Sequence, residues 1–89
     1  MGVWLFNGEG SRFASGVFSE LSLAEEWISK HSLTGILTEY PVDEGAFDWA
    51  TSHGLFKPKP DKRIDAHFIG RFTSGAQEHF HYVDGRRDA

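Results

Sequence analysis

The chain has 89 residues, including eight Phe, three Trp and two Tyr, with no cysteine and a formal net charge of −4. This length predicts one domain with a modest core, and the lack of cysteine excludes disulfide bonds within the chain and thiolate metal sites. Nucleic-acid binding depends on Lys and Arg that neutralise phosphates, so a net acidic chain is a poor candidate for it. Residues 1–6 carry no basic segment, and no long apolar run follows them. We therefore expect neither a signal peptide nor a membrane span, and we predict a cytoplasmic protein.

The N-terminal residues predict a pair of strands. Residues 3–6 form a short apolar run, and Asn7-Gly8 after it is a pair typical of hairpin turns. Residues 12–18 supply the second strand. A β-hairpin is therefore expected at the start of the chain.

A helix is predicted next, from Ser22 to about His31. Ser22 and Glu25 have the spacing of a capping box, in which each side chain satisfies a free backbone amide. Leu23 and Trp27 begin an apolar stripe with helical spacing. This stripe should pack against the sheet.

A third strand and a second helix follow. Residues 33–40 alternate in the manner of a strand, and Pro41 should end it. Asp43 is predicted as the N-cap of a helix that runs to about Ser52. Gly54 provides the stop signal for that helix.

The last third of the chain predicts a second hairpin. Residues 67–73 and 78–83 are predicted as strands joined by a turn at Ser74-Gly75. Residues 86–89 have nothing to bury and are expected to fray.

Strand alternation decides which side chains of this hairpin share a face. His79 and His81 should lie on the same face as Phe68 and Phe72, because alternate residues point to the same side. One face should pack on the helices, and the other should remain a partly exposed aromatic and histidine surface of the kind that binds partners. The candidate binding residues are His79, His81, Phe68, Phe72, Tyr82 and Arg71.

The same alternation weakens the catalytic and metal interpretations of this hairpin. Zinc usually requires a third protein ligand, but His67 falls on the face opposite the pair formed by His79 and His81. Glu78 also points away from both histidines, so no carboxylate is placed to support a general base. We predict no catalytic residue, no metal ligand and no cofactor, and an enzymatic activity is disfavoured.

The predicted element order is β-β-α-β-α-β-β over residues 1–85, which form a single domain. It gives an α+β fold with a mostly antiparallel sheet of about five strands and both helices on one face. The predicted core comprises one face of the terminal hairpin with Trp4, Phe6, Val17, Phe18, Leu23, Trp27, Ile28, Leu33, Ile36, Phe47, Ala50 and Phe56.

Five segments together carry a family resemblance. They are residues 3–8, 15–18, 24–28, 33–43 and 78–82, of which the last two contain the LTEYPVD and EHFHY motifs. In combination they resemble a small uncharacterised bacterial family, a domain of unknown function found in short proteins. The resemblance implies a stand-alone bacterial domain and brings no activity, cofactor or catalytic residue. In size and acidity the family is similar to some small immunity-type proteins, which is an analogy only.

These observations predict a non-enzymatic domain that docks a protein partner on its open sheet face or on an acidic helical edge, and an immunity-like inhibitor of a basic toxin is one concrete form of it. The alternative is a small metal- or ligand-binding protein that uses the sheet face of His79 and His81. We expect no membrane contact, and a monomer or a weak homodimer formed through an exposed sheet edge.

Overall fold

The computed structural model describes residues 2–61 and 63–88. Within these ranges it has five antiparallel strands in one sheet, and it confirms the predicted α+β class. The strands are β1 (Gly2–Gly8), β2 (Gly16–Phe18), β3 (Gly35–Pro41), β4 (His79–Val83) and β5 (Arg86–Arg87), in the spatial order β2-β1-β3-β4-β5. The helices are α1 (Leu21–Lys30), α2 (Ala46–Ser52) and α3 (Ala66–Arg71).

Strands β1 and β3 form the centre of the sheet and pair along their whole length, from Gly2 opposite Pro41 to Gly8 opposite Gly35. The predicted turn at Asn7-Gly8 is wrong, because both residues belong to this ladder. A run of paired backbone groups outweighs the local turn preference of two residues. The chain turns later, in residues 9–15.

Helix α1 covers one face of the sheet and completes the core. Leu37 of β3 and Ile28 of α1 are fully buried there. The helical residues of this core all come from α1 among the residues that the structure describes. The buried members are Trp4, Phe6, Ala24, Ile28, Leu37 and Tyr82.

Three of the residues predicted for the core are exposed to solvent instead. Val17, Leu23 and Ile36 are all exposed, with Val17 at 63%. Ile36 and Leu37 are adjacent apolar residues of β3, so alternation alone does not tell which of them faces the core. The pairing of Phe6 with Leu37 decides it, because it turns Leu37 toward α1 and therefore Ile36 away.

Neither predicted helix cap forms. Helix α1 begins at Leu21 after an extended Glu20, so Ser22 lies within the first turn and the helix has no side-chain cap. Helix α2 begins at Ala46, after an N-cap at Gly45. The stop predicted at Gly54 is confirmed, since this residue has a φ of 70° directly after the helix.

The strand predicted over residues 67–73 is wrong, because residues 66–71 form α3. Asp65 caps this helix by accepting a hydrogen bond from the Phe68 amide at 3.0 Å. Phe68 and Phe72 are four residues apart, a spacing that places them on one side of a helical turn. Strand β4 therefore has no hairpin partner before it in sequence and pairs with β3 instead.

Four phenylalanines join α2 and α3 in a second cluster, apart from the core around Leu37. All six pairs of ring centroids lie between 5.1 and 6.2 Å apart, within the range of favourable aromatic contacts. The cluster consists of Phe47, Phe56, Phe68 and Phe72 and is called the four-phenylalanine cluster below.

Residues 86–87 do not fray, in contrast to the prediction, but form β5 against β4. Asp84 and Gly85 have φ values of 50° and 85°, as the two central residues of a tight hairpin turn require. The Asp-Gly pair was the sequence signal for this turn. No helix in the described part of the chain is long and apolar enough to cross a membrane.

Candidate functional site

The sheet face that points away from α1 is the candidate binding surface. None of its side chains is buried, whereas the other face holds the core. Side chains on this face alternate along their strands with those that face α1. We call it the open face and define it by Val3, Leu5, Asn7, Val17, Ile36, Thr38, Tyr40, His79, His81, Val83 and Arg86.

His79 and His81 both lie on the open face, as strand alternation predicted. Their ring centroids are 5.6 Å apart and the rings are nearly perpendicular. On β3 their backbone partners are Thr38 and Ile36. A groove of about 410 Å³ runs beside both rings. Residues 73–75 of the loop before β4 form part of its wall.

Gln77 holds this loop in place and is only 2% exposed. Its Oε1 accepts a hydrogen bond from the Ser74 amide at 2.9 Å, and its Nε2 donates to the Glu39 carbonyl at 3.2 Å. Ala76 donates its amide to Ser74 Oγ at 3.1 Å. The Gln77 carbonyl in turn lies 2.8 Å from His79 Nδ1, so the ring is attached to a well-anchored residue.

Sequence reasoning missed Gln77, although a signal was present. Ser74 and Gln77 have the Ser-x-x-Gln spacing of a capping box. Here the motif closes a turn rather than a helix N-terminus.

The structure separates three of the predicted binding residues from the histidines. Phe68, Arg71 and Phe72 line a different groove of about 600 Å³ with His67. Arg71 donates to His67 Nε2 at 3.0 Å, one helical turn away. The prediction that Phe68 and Phe72 share a sheet face with the histidines is wrong, because residues 66–71 are helical. Residues 73–75 line both grooves.

Tyr82, another predicted binding residue, is part of the core at 3% exposure. Its hydroxyl donates to Glu25 Oε2 at 2.6 Å, and Arg87 Nε donates to the same oxygen at 3.0 Å. The Arg87 guanidinium also lies over the Phe80 ring, 3.8 Å from its centroid. These contacts attach β5 to the rest of the molecule, so Tyr82 is a stabilising residue rather than a surface contact.

The hydrogen bond between the Tyr82 hydroxyl and the Glu25 carboxylate shifts the pKa of both groups. Burial, followed by the hydrogen bond to Glu25, raises the pKa of Tyr82 to about 12. Burial opposes the charge on Glu25, but the hydrogen bonds from Tyr82 and Arg87 outweigh it and hold the pKa of Glu25 below its usual value.

Replacing Tyr82 with Phe is expected to lower the free energy of unfolding by about 1–2 kcal/mol near neutral pH, because Glu25 loses a donor. The folded-state pKa of Tyr82, about 12, lies above its usual 10.0. The stabilisation that this shift reflects is therefore complete below about pH 10 and is lost as the pH rises through about 12. Urea denaturation near pH 8 and pH 11 measures the free energy of unfolding of both proteins. The difference between wild type and variant should be smaller at the higher pH. Tyr40→Phe removes a hydroxyl from the open face and serves as the control. A gap that stays constant or widens would contradict the assignment.

No group of three or more His, Asp and Glu side chains is placed to hold a metal ion within residues 2–61 and 63–88. The hydrogen bonds of His53, His67 and His79 go to backbone carbonyls, to a serine and to an arginine. A carboxylate that orients an imidazole as a general base is not among these contacts.

Fold and site together define a small α+β domain with one helix-covered sheet face and one open face. The chain belongs to the family described as Domain of unknown function (DUF7710), whose model matches residues 3–88. This confirms the predicted membership of a domain-of-unknown-function family. No curated protein and no solved structure matched the chain.

Proposed function

We propose that this chain is a non-enzymatic protein-binding domain that docks a protein partner on its open face. The observation that carries the proposal is a set of exposed apolar side chains on a face that has no buried side chain within residues 2–61 and 63–88. Val17, Ile36 and Val83 expose 63%, 40% and 48% of their surface there. The solvated face of an antiparallel sheet is normally polar, and exposed apolar patches mark interaction sites.

An acidic groove at the end of the sheet favours a basic partner. A groove of about 330 Å³ carries Glu39, Glu44 and Glu78. Tyr40 and Gln77 line this groove and also the groove beside the histidines, so the two grooves are neighbours. Glu39 and Glu78 occupy strand positions that alternate with those of the open face, so a partner on the open face would meet these carboxylates only where it extends past the end of the sheet. Basic side chains at that edge of the partner would complement them.

The net charge of −4 supports the same choice of partner, because an acidic protein attracts a basic one over long distances. An immunity-like inhibitor that binds a basic toxin in the bacterial cytoplasm is the concrete form of this function. Such an inhibitor needs a rigid, complementary surface and no chemistry of its own. The paired central strands β1 and β3 provide that rigidity.

The test compares two variants in which Glu replaces an exposed apolar residue, one on the open face and one on α1. Ile36→Glu places a charge in the centre of the open face, whereas Leu23→Glu places it on the exposed side of α1, where Leu23 is 49% exposed. Partners captured from the host by the wild-type chain are identified, purified and remeasured against each variant by calorimetry. We expect Ile36→Glu to weaken the Kd by at least about tenfold and Leu23→Glu to leave it within about twofold.

Two results would overturn this function. The first is a purified partner whose Kd is unaffected by Ile36→Glu, since the open face would then not be its binding surface. The second is an acidic partner, which contradicts the charge argument. Light scattering on the purified chain tests a further alternative, because a tight homodimer that Ile36→Glu dissociates would assign the open face to a second copy.

A further inference from the structure

The spacing of His79 and His81 suits a shared metal ion. Two imidazoles bound to the same ion, each through a nitrogen roughly 2 Å from it, have ring centres roughly 4.5–6.5 Å apart, depending on the angle at the metal. The observed separation is 5.6 Å between centroids. Both residues are exposed and both line the groove on the open face.

The hydrogen bond of His79 settles which nitrogen is free. Its Nδ1 lies 2.8 Å from the Gln77 carbonyl, which can only accept, so Nδ1 carries the proton and donates. In the neutral ring the lone pair is therefore on Nε2, a usual metal-binding atom. A ligating histidine typically donates its other N–H to a carbonyl or carboxylate in this way.

Gln77 makes this arrangement rigid before any ion binds. Its side chain spans from the Ser74 amide to the Glu39 carbonyl, so the carbonyl that orients His79 is tied to the central strand β3. His81 belongs to the same strand as His79 and pairs with Ile36 of β3.

We propose that His79 and His81 form a chelating site for a first-row transition-metal dication, with His79 bound through Nε2. Two imidazoles from one chain leave the remaining coordination positions for water or an added ligand. Imidazole suits Cu²⁺, Ni²⁺ and Zn²⁺, and among these Cu²⁺ binds most tightly at a given site. The site is independent of protein docking, since two side chains of β4 form it and the Gln77 carbonyl orients one of them.

The test is a titration of the full chain with Cu²⁺, Ni²⁺ and Zn²⁺. Zn²⁺ should shift the imidazole NMR signals of His79 and His81 at one equivalent, and substoichiometric Cu²⁺ should broaden these two first. The electron paramagnetic resonance of bound Cu²⁺ should show coupling to two nitrogens. Calorimetry should rank Cu²⁺ above Ni²⁺ and Zn²⁺.

Three alanine variants distinguish an ion that is bound by both histidines from an ion that is bound by a single one. His79→Ala and His81→Ala should each weaken Cu²⁺ binding by about tenfold or more, because one imidazole replaces two. His67→Ala removes an exposed histidine of α3 and should change the affinity by less than about twofold. Circular dichroism of each variant verifies that the fold is retained. Unchanged His79 and His81 signals at excess Zn²⁺, or equal losses in all three variants, would overturn the proposal.

Discussion

Replacing Gly35 with Ala is expected to lower the free energy of unfolding by about 3 kcal/mol, the upper end of the usual cost of overpacking. Gly35 is buried in β3 opposite Gly8. A Cβ at this position would lie 2.8 Å from Phe6 Cζ and 2.9 Å from Gly8 Cα, and it would clash with the Asn7 carbonyl oxygen. Two of these neighbours are backbone atoms of β1, so relief requires the two central strands to separate.

The control for this variant is Gly70→Ala in α3. A Cβ at Gly70 meets no heavy atom within 4 Å, and Ala is favoured over Gly inside a helix by roughly 0.5–1 kcal/mol. Urea denaturation of both variants should therefore show changes of opposite sign. A Gly35→Ala protein as stable as the wild type would show that the register of β1 and β3 is wrong.

Replacing Phe72 with Ala is expected to unfold α2 and α3 while the sheet remains folded. The Phe72 ring lies within 6 Å of the three other rings of the four-phenylalanine cluster, at centroid distances of 5.5, 5.1 and 5.9 Å. Loss of a fully buried Phe costs about 3–5 kcal/mol, and a half-buried one roughly 2–3 kcal/mol on the same basis. Since this cluster shares no residue with the core around Leu37, the cost falls on the two short helices.

Hydrogen exchange measures where the stability is lost. Amides of residues 46–52 and 66–71 should lose protection in Phe72→Ala, and those of β1 and β3 should keep it. Ile69→Ala is the matched control, because Ile69 is in the same helix but 43% exposed, so its truncation should cost less than about 1 kcal/mol. A uniform loss of protection over both regions would show that the cluster and the sheet unfold as one unit.

Local patterns predicted the elements whose signals were long or strongly periodic. The stripe that contains Trp27 and Ile28 placed α1 within a residue of its observed C-terminus, and alternation put His79 and His81 on one face. Residues 67–73 were wrongly predicted as a strand, because their aromatic and β-branched side chains favour strands. Asp65 before them favours the start of a helix. The cap hydrogen bond from Phe68 to Asp65 and the contacts of Phe68 and Phe72 with Phe47 favour the helix.

Sequence alone determined the α+β class, the mostly antiparallel sheet, the family and the shared face of the two histidines, because these depend on short-range periodicity and composition. Tertiary structure decided the rest. It buried Leu37 and exposed Ile36 through the pairing of β3 with β1. It also joined Glu25, Tyr82 and Arg87, which are up to 62 residues apart. Contacts at such separations leave no periodic trace in the chain, since each depends on which strands become neighbours. The open face is the clearest case, because its exposure follows from α1 packing on only one side of the sheet.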